Sequence, residues 1–400
     1  MLINIFIEIF IIFLIKNIKK KKIKINIKKN ININKGKYLI KLSNCLSCHT
    51  LNGGKPFSGG NIIKTDFGII NTPNITFDKK CGIGNYNLKN FINLIKNGIS
   101  KKKNFLFPAF PYINYNKIKK SDILNIFNSI KKIPKENIIN KINKIKFPIK
   151  YKNIMVGWRI LFFKKKNNKN KEKSNIKRGK YISKTLGHCE MCHTKINKIG
   201  KLNKYFKYKG YNKIEKWFTS DISNNKGINK NNIKDLYKIL KDGINKKKII
   251  NGQMVEVINN SLQYASKIDL LSISRFIKSK INKKKILKIN IKKYNKKEYN
   301  IKYKVGKKIY KKNCKKCHGI LKLGNFPIFP KIIKTKKNFS YENNLKNLFK
   351  KANINSTLKN KYCSIMPNLW NIKNKIIIYF ISNKNLNKSI IFKKYKKPLF

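Results

Sequence analysis

The sequence predicts an all-α chain of three small helical domains in tandem, and three observations predict it. One block recurs three times, opening at Gly36, Gly179 and Gly306 and closing on the same pentapeptide pattern at residues 45–49, 189–193 and 314–318. Helix-type spacing of apolar residues, ended by glycine, follows the first two copies, and strand-type alternation is weak throughout. Copies more than 100 residues apart are domains and not turns of a solenoid. A length of 400 residues accommodates several domains, and 41% hydrophobic residues suffices for packed cores.

The elements follow in order. Residues 1–30 read as a signal peptide or N-terminal anchor, since 1–15 are apolar apart from Asn4 and Glu8 and a lysine run follows at 19–22. The first domain is expected over 31–150, the second over 165–285 and the third over 295–385, with 386–400 as a C-terminal tail. Lys/Asn-rich linkers fall near 140–176 and 280–300. In the first two domains Thr72-Pro-Asn-Ile-Thr76 parallels Thr219-Ser-Asp-Ile-Ser223, and a middle helix stops at Gly98 and at Gly243. Another helix opens at Ser121-Asp122 and at Lys267, ending near Ile133 and Ile277. Helices in the third domain are expected near 304–316, 341–351 and 372–382.

The charge is extreme, with 96 Lys+Arg against 15 Asp+Glu and a net +81. A nucleic-acid partner does not follow from it. Arg is confined to Arg159, Arg178 and Arg275, and Ala to Ala109, Ala265 and Ala352, while Ile, Asn and Lys fill every segment. That is drift of the whole composition, without the Arg forks and localised stripes of a nucleic-acid site. Residues that persist against such drift mark local requirements. Gly, Pro, Cys, His and Trp cluster around 45–84, 107–111, 187–193, 314–324 and 363–370.

The pentapeptide is Cys-x-x-Cys-His, a c-type haem attachment signal. Cys45 and Cys48, Cys189 and Cys192, and Cys314 and Cys317 would each form two thioethers to one porphyrin, with His49, His193 and His318 as proximal iron ligands. A zinc ribbon would bring its second cysteine pair within 15–20 residues, and a dithiol oxidoreductase needs one pair in a βαβ unit. Here six of eight Cys and three of four His lie in three identical signatures. The expected cofactor is therefore three haems c, each of which fills the core of its small domain. Because the ligation machinery works outside the bacterial cytoplasm, the chain is expected to be exported, whether the leader is cleaved or kept as an anchor.

A Met opposite the His raises the reduction potential. Met254 lies 65 residues beyond Cys189 and Met366 lies 52 beyond Cys314, both expected in loops that return over the haem face. The position 65 beyond Cys45 is Phe110, which cannot ligate iron. Either the first haem is five-coordinate, or a Lys, Tyr112 or Met155 completes it; His188, tied to the second signature, is the less attractive donor. Cys81 and Cys363 either pair with each other or are free thiols. Trp158, Trp217 and Trp370 read as core or haem-edge packing.

These motifs resemble those of the membrane-associated tri-haem cytochrome c subunits of bacterial gluconate, sorbitol, fructose, alcohol and aldehyde dehydrogenases. The resemblance covers about 34–385 and rests on 36–50, Asn74-Ile-Thr-Phe-Asp78, Gly82-Ile-Gly-Asn85, Phe107-Pro-Ala-Phe-Pro-Tyr112, Met155-Val-Gly-Trp158, Leu161-Phe-Phe163, Leu186-Gly-His-Cys189, Met254-Val-Glu-Val257 and Met366-Pro367. It implies three tandem cytochrome c domains, with His49, His193 and His318 as proximal and Met254 and Met366 as distal ligands. It further implies a catalytic partner subunit carrying flavin, quinone or molybdenum, and electrons passed to membrane ubiquinone or a terminal oxidase. The chain would then lie on the periplasmic side of the bacterial inner membrane, touching its surface.

Overall fold

The computed structural model describes residues 31–147, 152–164, 174–197, 200–210, 213–214, 217–223, 232–245, 248–250, 252–279, 296–319, 353–355 and 364–366. The chain divides into two compact units, one of 1–212, 221–241 and 256–281, the other of 213–220, 242–255 and 282–400. The leader, the tail, the helices expected at 341–351 and 372–382, Cys363 and Trp370 lie outside the described residues.

The first unit holds the first repeat and most of the second, each built on a crossing of its first and last helices. In the first repeat α1 (Ile33–Leu42) starts at Asn32, whose side chain accepts the Lys35 N–H at 2.8 Å. Helix α2 (Leu88–Asn97) is capped by Asn87 and stops at Gly98, which is left-handed at φ 59. A short α3 (Tyr112–Tyr115) and α4 (Lys120–Ile130) follow. Helix α1 crosses α4 at Gly36, where a Cβ would stand 2.1 Å from the Asn125 carbonyl oxygen. Helix α5 (Lys152–Phe162) then leads to the second repeat.

There α6 (Asn175–Tyr181), capped by Ser174, crosses α9 (Lys267–Ser279) at Gly179, and a Cβ would come within 1.9 Å of the Ser272 carbonyl oxygen. Between them lie α7 (Ile233–Asp242), followed by Gly243 at φ 73, and α8 (Gln253–Asn260). The last-turn lysine of each middle helix reaches forward to a carbonyl. Lys96 donates to Ile118 at 2.9 Å and Lys241 to Ala265 at 3.3 Å. Leu39, Leu42, Ile92 and Ile123 are buried in the first repeat and Ile182, Leu186, Leu236 and Phe276 in the second.

The two repeats lock onto each other by exchange. The Tyr38 hydroxyl of α1 donates to Asp269 on α9, and the Tyr181 hydroxyl at the end of α6 donates to Asp122 on α4, both at 2.7 Å. Each hydroxyl also accepts a backbone N–H ahead of the partner helix, from Ser266 at 3.0 Å and from Lys119 at 3.2 Å. Equivalent residues bond reciprocally, so the repeats are related by a pseudo-twofold axis. A hydrogen bond to a buried charged group is worth roughly 1.5–3 kcal/mol. The carboxylates differ in support. Arg178 grips Asp269 with Nε and Nη2, both at 2.9 Å, whereas Asp122 faces the half-exposed Lys35 at 3.2 Å. Burial pushes the Asp269 carboxyl up, but the bonds from Arg178 and Tyr38 outweigh it and hold it below the usual range.

Helices dominate, and short strands accompany them. Strands β1 (Ile62–Thr65) and β2 (Gly68–Asn71) form a hairpin with Thr65 opposite Gly68, and β3 (Lys144–Ile145) pairs with β2. Four residues are too few to display a period of two in an Ile-rich sequence. The stretch near 140–176, expected as linker, carries both β3 and α5. Helix α5 buries Met155, Val156 and Arg159. The Arg159 guanidinium lies 4.6 Å from the Phe105 ring centre and 4.5 Å from that of Phe163, and donates to the Asn97 carbonyl at 2.7 Å.

In the second unit α10 (Lys296–Asn313) begins earlier than the expected 304–316 and buries Tyr310. Strand β4 (Asn353–Asn355) pairs antiparallel with β5 (Ser364–Met366). Among the described residues no helix is long and apolar enough to cross a membrane.

Candidate haem-attachment sites

Each signature closes one helical turn. The His49 N–H donates to the Cys45 carbonyl at 3.0 Å, His193 to Cys189 at 3.0 Å and His318 to Cys314 at 2.9 Å. That bond stacks the two cysteines one turn apart and carries the histidine next to them. The first two turns are entered through a left-handed residue, Asn44 (φ 52) and His188 (φ 37). They are also left in the same way. Gly59 and Gly210 donate to the His49 and His193 carbonyls, both at 2.8 Å. Thr50 and Thr194 accept from Phe57 at 3.0 Å and Tyr208 at 3.1 Å, two further left-handed residues. In the third signature Gly319 replaces the threonine, and the Tyr310 hydroxyl donates to its carbonyl at 2.7 Å.

The residues present fit a c-type haem. His49 Nδ1 lies 2.8 Å from the Pro73 carbonyl oxygen, which can only accept, so Nδ1 carries the proton and Nε2 keeps its lone pair for iron. This is the role of the Thr72–Thr76 block. Burial lowers the His49 pKa and favours the neutral, ligating form. None of the signature cysteines is in a disulfide. Burial pushes Cys45 and Cys189 up to about 12 and Cys48 and Cys192 up to about 11, the opposite of a reactive dithiol's lowered value. Among the described residues no three of His, Cys, Asp and Glu cluster as a metal site of their own.

The remaining sequence-expected donors are placed as follows. Met254 is half-buried on the first turn of α8, and Met366 ends strand β5 opposite Asn353, so neither occupies the expected loop. Phe110 sits in the turn before α3, its ring edge-on to Tyr115 at 5.7 Å. Met155 is packed in the core. Tyr112 is fully buried over Gly98, and burial raises its hydroxyl to about 12 despite Arg159, which keeps it a neutral phenol. Cys81 is a free thiol donating to Asn137 at 3.0 Å.

Several residues that the sequence did not single out surround the turns. Glu190, inside the second signature, pairs with Lys184 at 2.9 Å and Lys207 at 3.3 Å and accepts from the Tyr208 hydroxyl at 2.8 Å. Burial pushes the Glu190 carboxyl up, but Lys184, Lys207 and the Tyr208 hydroxyl together outweigh it and hold it below the usual range, and burial draws Lys184 down to about 8. The first signature has neutral Leu46 and Ser47 at the corresponding places. Ser47 accepts a bond of 2.9 Å from Asn260 of the second repeat, and the Cys48 and Cys192 thiols lie within electrostatic reach of each other.

Residues 303–371 match the cytochrome c family, so a cytochrome c domain is present, and such a domain holds haem c covalently. The chain is similar to the gluconate 2-dehydrogenase cytochrome c subunit of Pantoea cypripedii, 28% identical over 62% of this chain and 59% of the relative. The fructose dehydrogenase cytochrome subunit of Gluconobacter japonicus is 30% identical, and the cytochrome c subunit of the quinone alcohol dehydrogenase of Gluconobacter oxydans 28%. Each match covers 62% of this chain, with 52% and 54% of those relatives. The aligned part thus spans between half and three-fifths of the relatives' own length. The chain is homologous to cytochrome c subunits of gluconate, alcohol and fructose dehydrogenases.

Proposed function

We propose that this chain is an electron-transfer subunit carrying three c-type haems, one in each of three tandem cytochrome c domains. The observation that carries this reading is the threefold recurrence of one turn, Cys-x-x-Cys-His closed by the same His-to-Cys bond. Cys45 and Cys48, Cys189 and Cys192, and Cys314 and Cys317 hold the porphyrins, with His49, His193 and His318 as proximal ligands and Met254 and Met366 as distal ones. The haems supply one-electron transfer at a potential set by axial ligand and burial. The chain's own contribution is positional. Pro73 fixes the His49 tautomer, the paired glycines and threonines clamp the first two turns, and the Tyr310 hydroxyl ties the third.

Its electrons come from a partner dehydrogenase subunit that oxidises a sugar, sugar acid, alcohol or aldehyde with its own flavin, quinone or molybdenum, and they go to membrane ubiquinone or the respiratory chain. The chain works on the periplasmic face of the bacterial inner membrane, with its lysines facing anionic lipid. The relatives' names support the dehydrogenase partner. A pyridine haemochrome assay of the full chain is expected to give three haems, and the chain alone to oxidise no alcohol or sugar. Fewer haems, or turnover by the lone chain, overturns the reading. Phe110 favours a second reading, in which the first haem is open and binds a small ligand. Rapid carbon monoxide binding to one reduced haem supports it, and its absence rejects it.

A further inference from the structure

The interface between the first two repeats is reciprocal at Tyr38 and Tyr181, at Asp122 and Asp269, and at Ser266 and Lys119. One position breaks the exchange. Asn44 and His188 are equivalent, each left-handed and each directly ahead of the first cysteine of a signature. Asn44 serves its own turn, accepting from Ser47 Oγ at 2.8 Å. His188 instead crosses to the first repeat. Its ring stands edge-on to Tyr115 at 5.7 Å and is enclosed within hydrogen-bonding reach of the Ser43 carbonyl.

Ser43 is the C-cap of α1, two residues before Cys45, and its carbonyl also accepts from the Tyr115 hydroxyl at 3.2 Å. Tyr115 carries Phe110 on its ring. One carbonyl at the entrance to the first attachment turn thus gathers the second signature through His188 and the Phe110 loop through Tyr115. The entry of the second turn is braced from behind: the backbone of Gly187 and Cys189 is tied to Ile182 and Ser183 at 2.7 and 2.8 Å. A left-handed residue bearing a β-carbon is strained and persists only where the surrounding structure holds it.

We propose that His188 is a positioning residue that ties the first attachment turn to the second, so that the two haem sites of the first unit are set relative to each other by one imidazole. The inference rests on the haem reading above. It concerns a residue outside every signature and outside the iron ligands.

The test compares His188→Phe, which keeps the ring on Tyr115 and loses the donor, with His188→Asn, which has a donor and an amide tolerant of left-handed backbone. The full chain is used, and haem content is measured first. With three haems retained, His188→Phe is expected to speed amide hydrogen exchange at residues 43–45 about tenfold, the upper value for one lost hydrogen bond. It is also expected to shift the paramagnetic resonance signal and midpoint potential of the first haem while leaving the third unmoved. His188→Asn should recover part of both. If His188→Phe leaves exchange, signal and potential unchanged with three haems bound, the proposal fails while the haem reading stands. If both variants shift all three haems alike, the effect is general loosening and the proposal also fails. If wild type itself lacks the haems, the functional reading falls, and this inference falls with it.

Discussion

The first and second attachment turns share their backbone to within a few tenths of an ångström in every equivalent bond, yet their surroundings differ in charge. The first has Leu46, Ser47 and the Phe110 ring close by; the second has Glu190 held by Lys184, Lys207 and Tyr208. Backbone geometry is what attachment requires, and it repeats. Electrostatic surroundings set potential, and they diverge. Two sites made from one repeat can therefore be loaded alike and tuned apart.

The most severe way to test the shared half of that comparison is to remove the thiols. Cys189→Ser with Cys192→Ser should lower the haem content from three to two per chain by haemochrome and intact mass, and Cys45→Ser with Cys48→Ser should do the same. Next comes the helix crossing. Gly36→Ala and Gly179→Ala each force a methyl into a backbone carbonyl, and each should cost about 3 kcal/mol in thermal unfolding. Unequal losses would break the pseudo-symmetry.

A smaller effect separates the two carboxylates. Arg178→Lys exchanges a two-pronged grip on Asp269 for a single contact and should cost about 1–2 kcal/mol, while Lys35→Met, at a half-exposed pair, should cost about 0.5 kcal/mol or less. The Asp269 carboxyl is lowered in the folded chain, so its contribution is present above about pH 4 and is lost as pH falls through the lower folded value. The stability gap between wild type and Asp269→Asn should accordingly close in acid. The mildest change tests the tuned half. Glu190→Gln removes a negative charge that favours the oxidised state and should raise the second haem's midpoint potential with the first unmoved. Spectroelectrochemical titration resolves the two.

Much of the architecture was legible because it is local. Gly98 and Gly243 stop helices where chain spacing says they must, and α4 and α9 open within a residue of Ser121 and at Lys267. The cysteines and proximal histidines are a contiguous motif and needed no tertiary information. What was hidden depends on long-range contact. Nothing local shows that Tyr38 bonds Asp269, 231 residues away, or that Pro73 offers its carbonyl to His49. Helix α5 was masked by the Lys/Asn background, although Arg159 was a clue. In a chain that uses Lys almost everywhere, two of the three arginines do what Lys cannot, one forking onto a carboxylate and one lying between aromatic rings.

The exchanged Tyr–Asp bonds also bear on the order of events at synthesis. Asp122 emerges early and is buried, yet its tyrosine partner lies 59 residues downstream, and Tyr38 waits for a carboxylate 231 residues away. The first repeat therefore leaves the ribosome with both of its clasps open; one closes when Tyr181 of α6 arrives, the other only with α9. An isolated fragment ending before the second repeat would leave the Asp122 carboxylate with Lys35 but without its tyrosine, and would carry a bare docking face. The pair of repeats, and not the single one, is the unit that folding and any engineered truncation must respect.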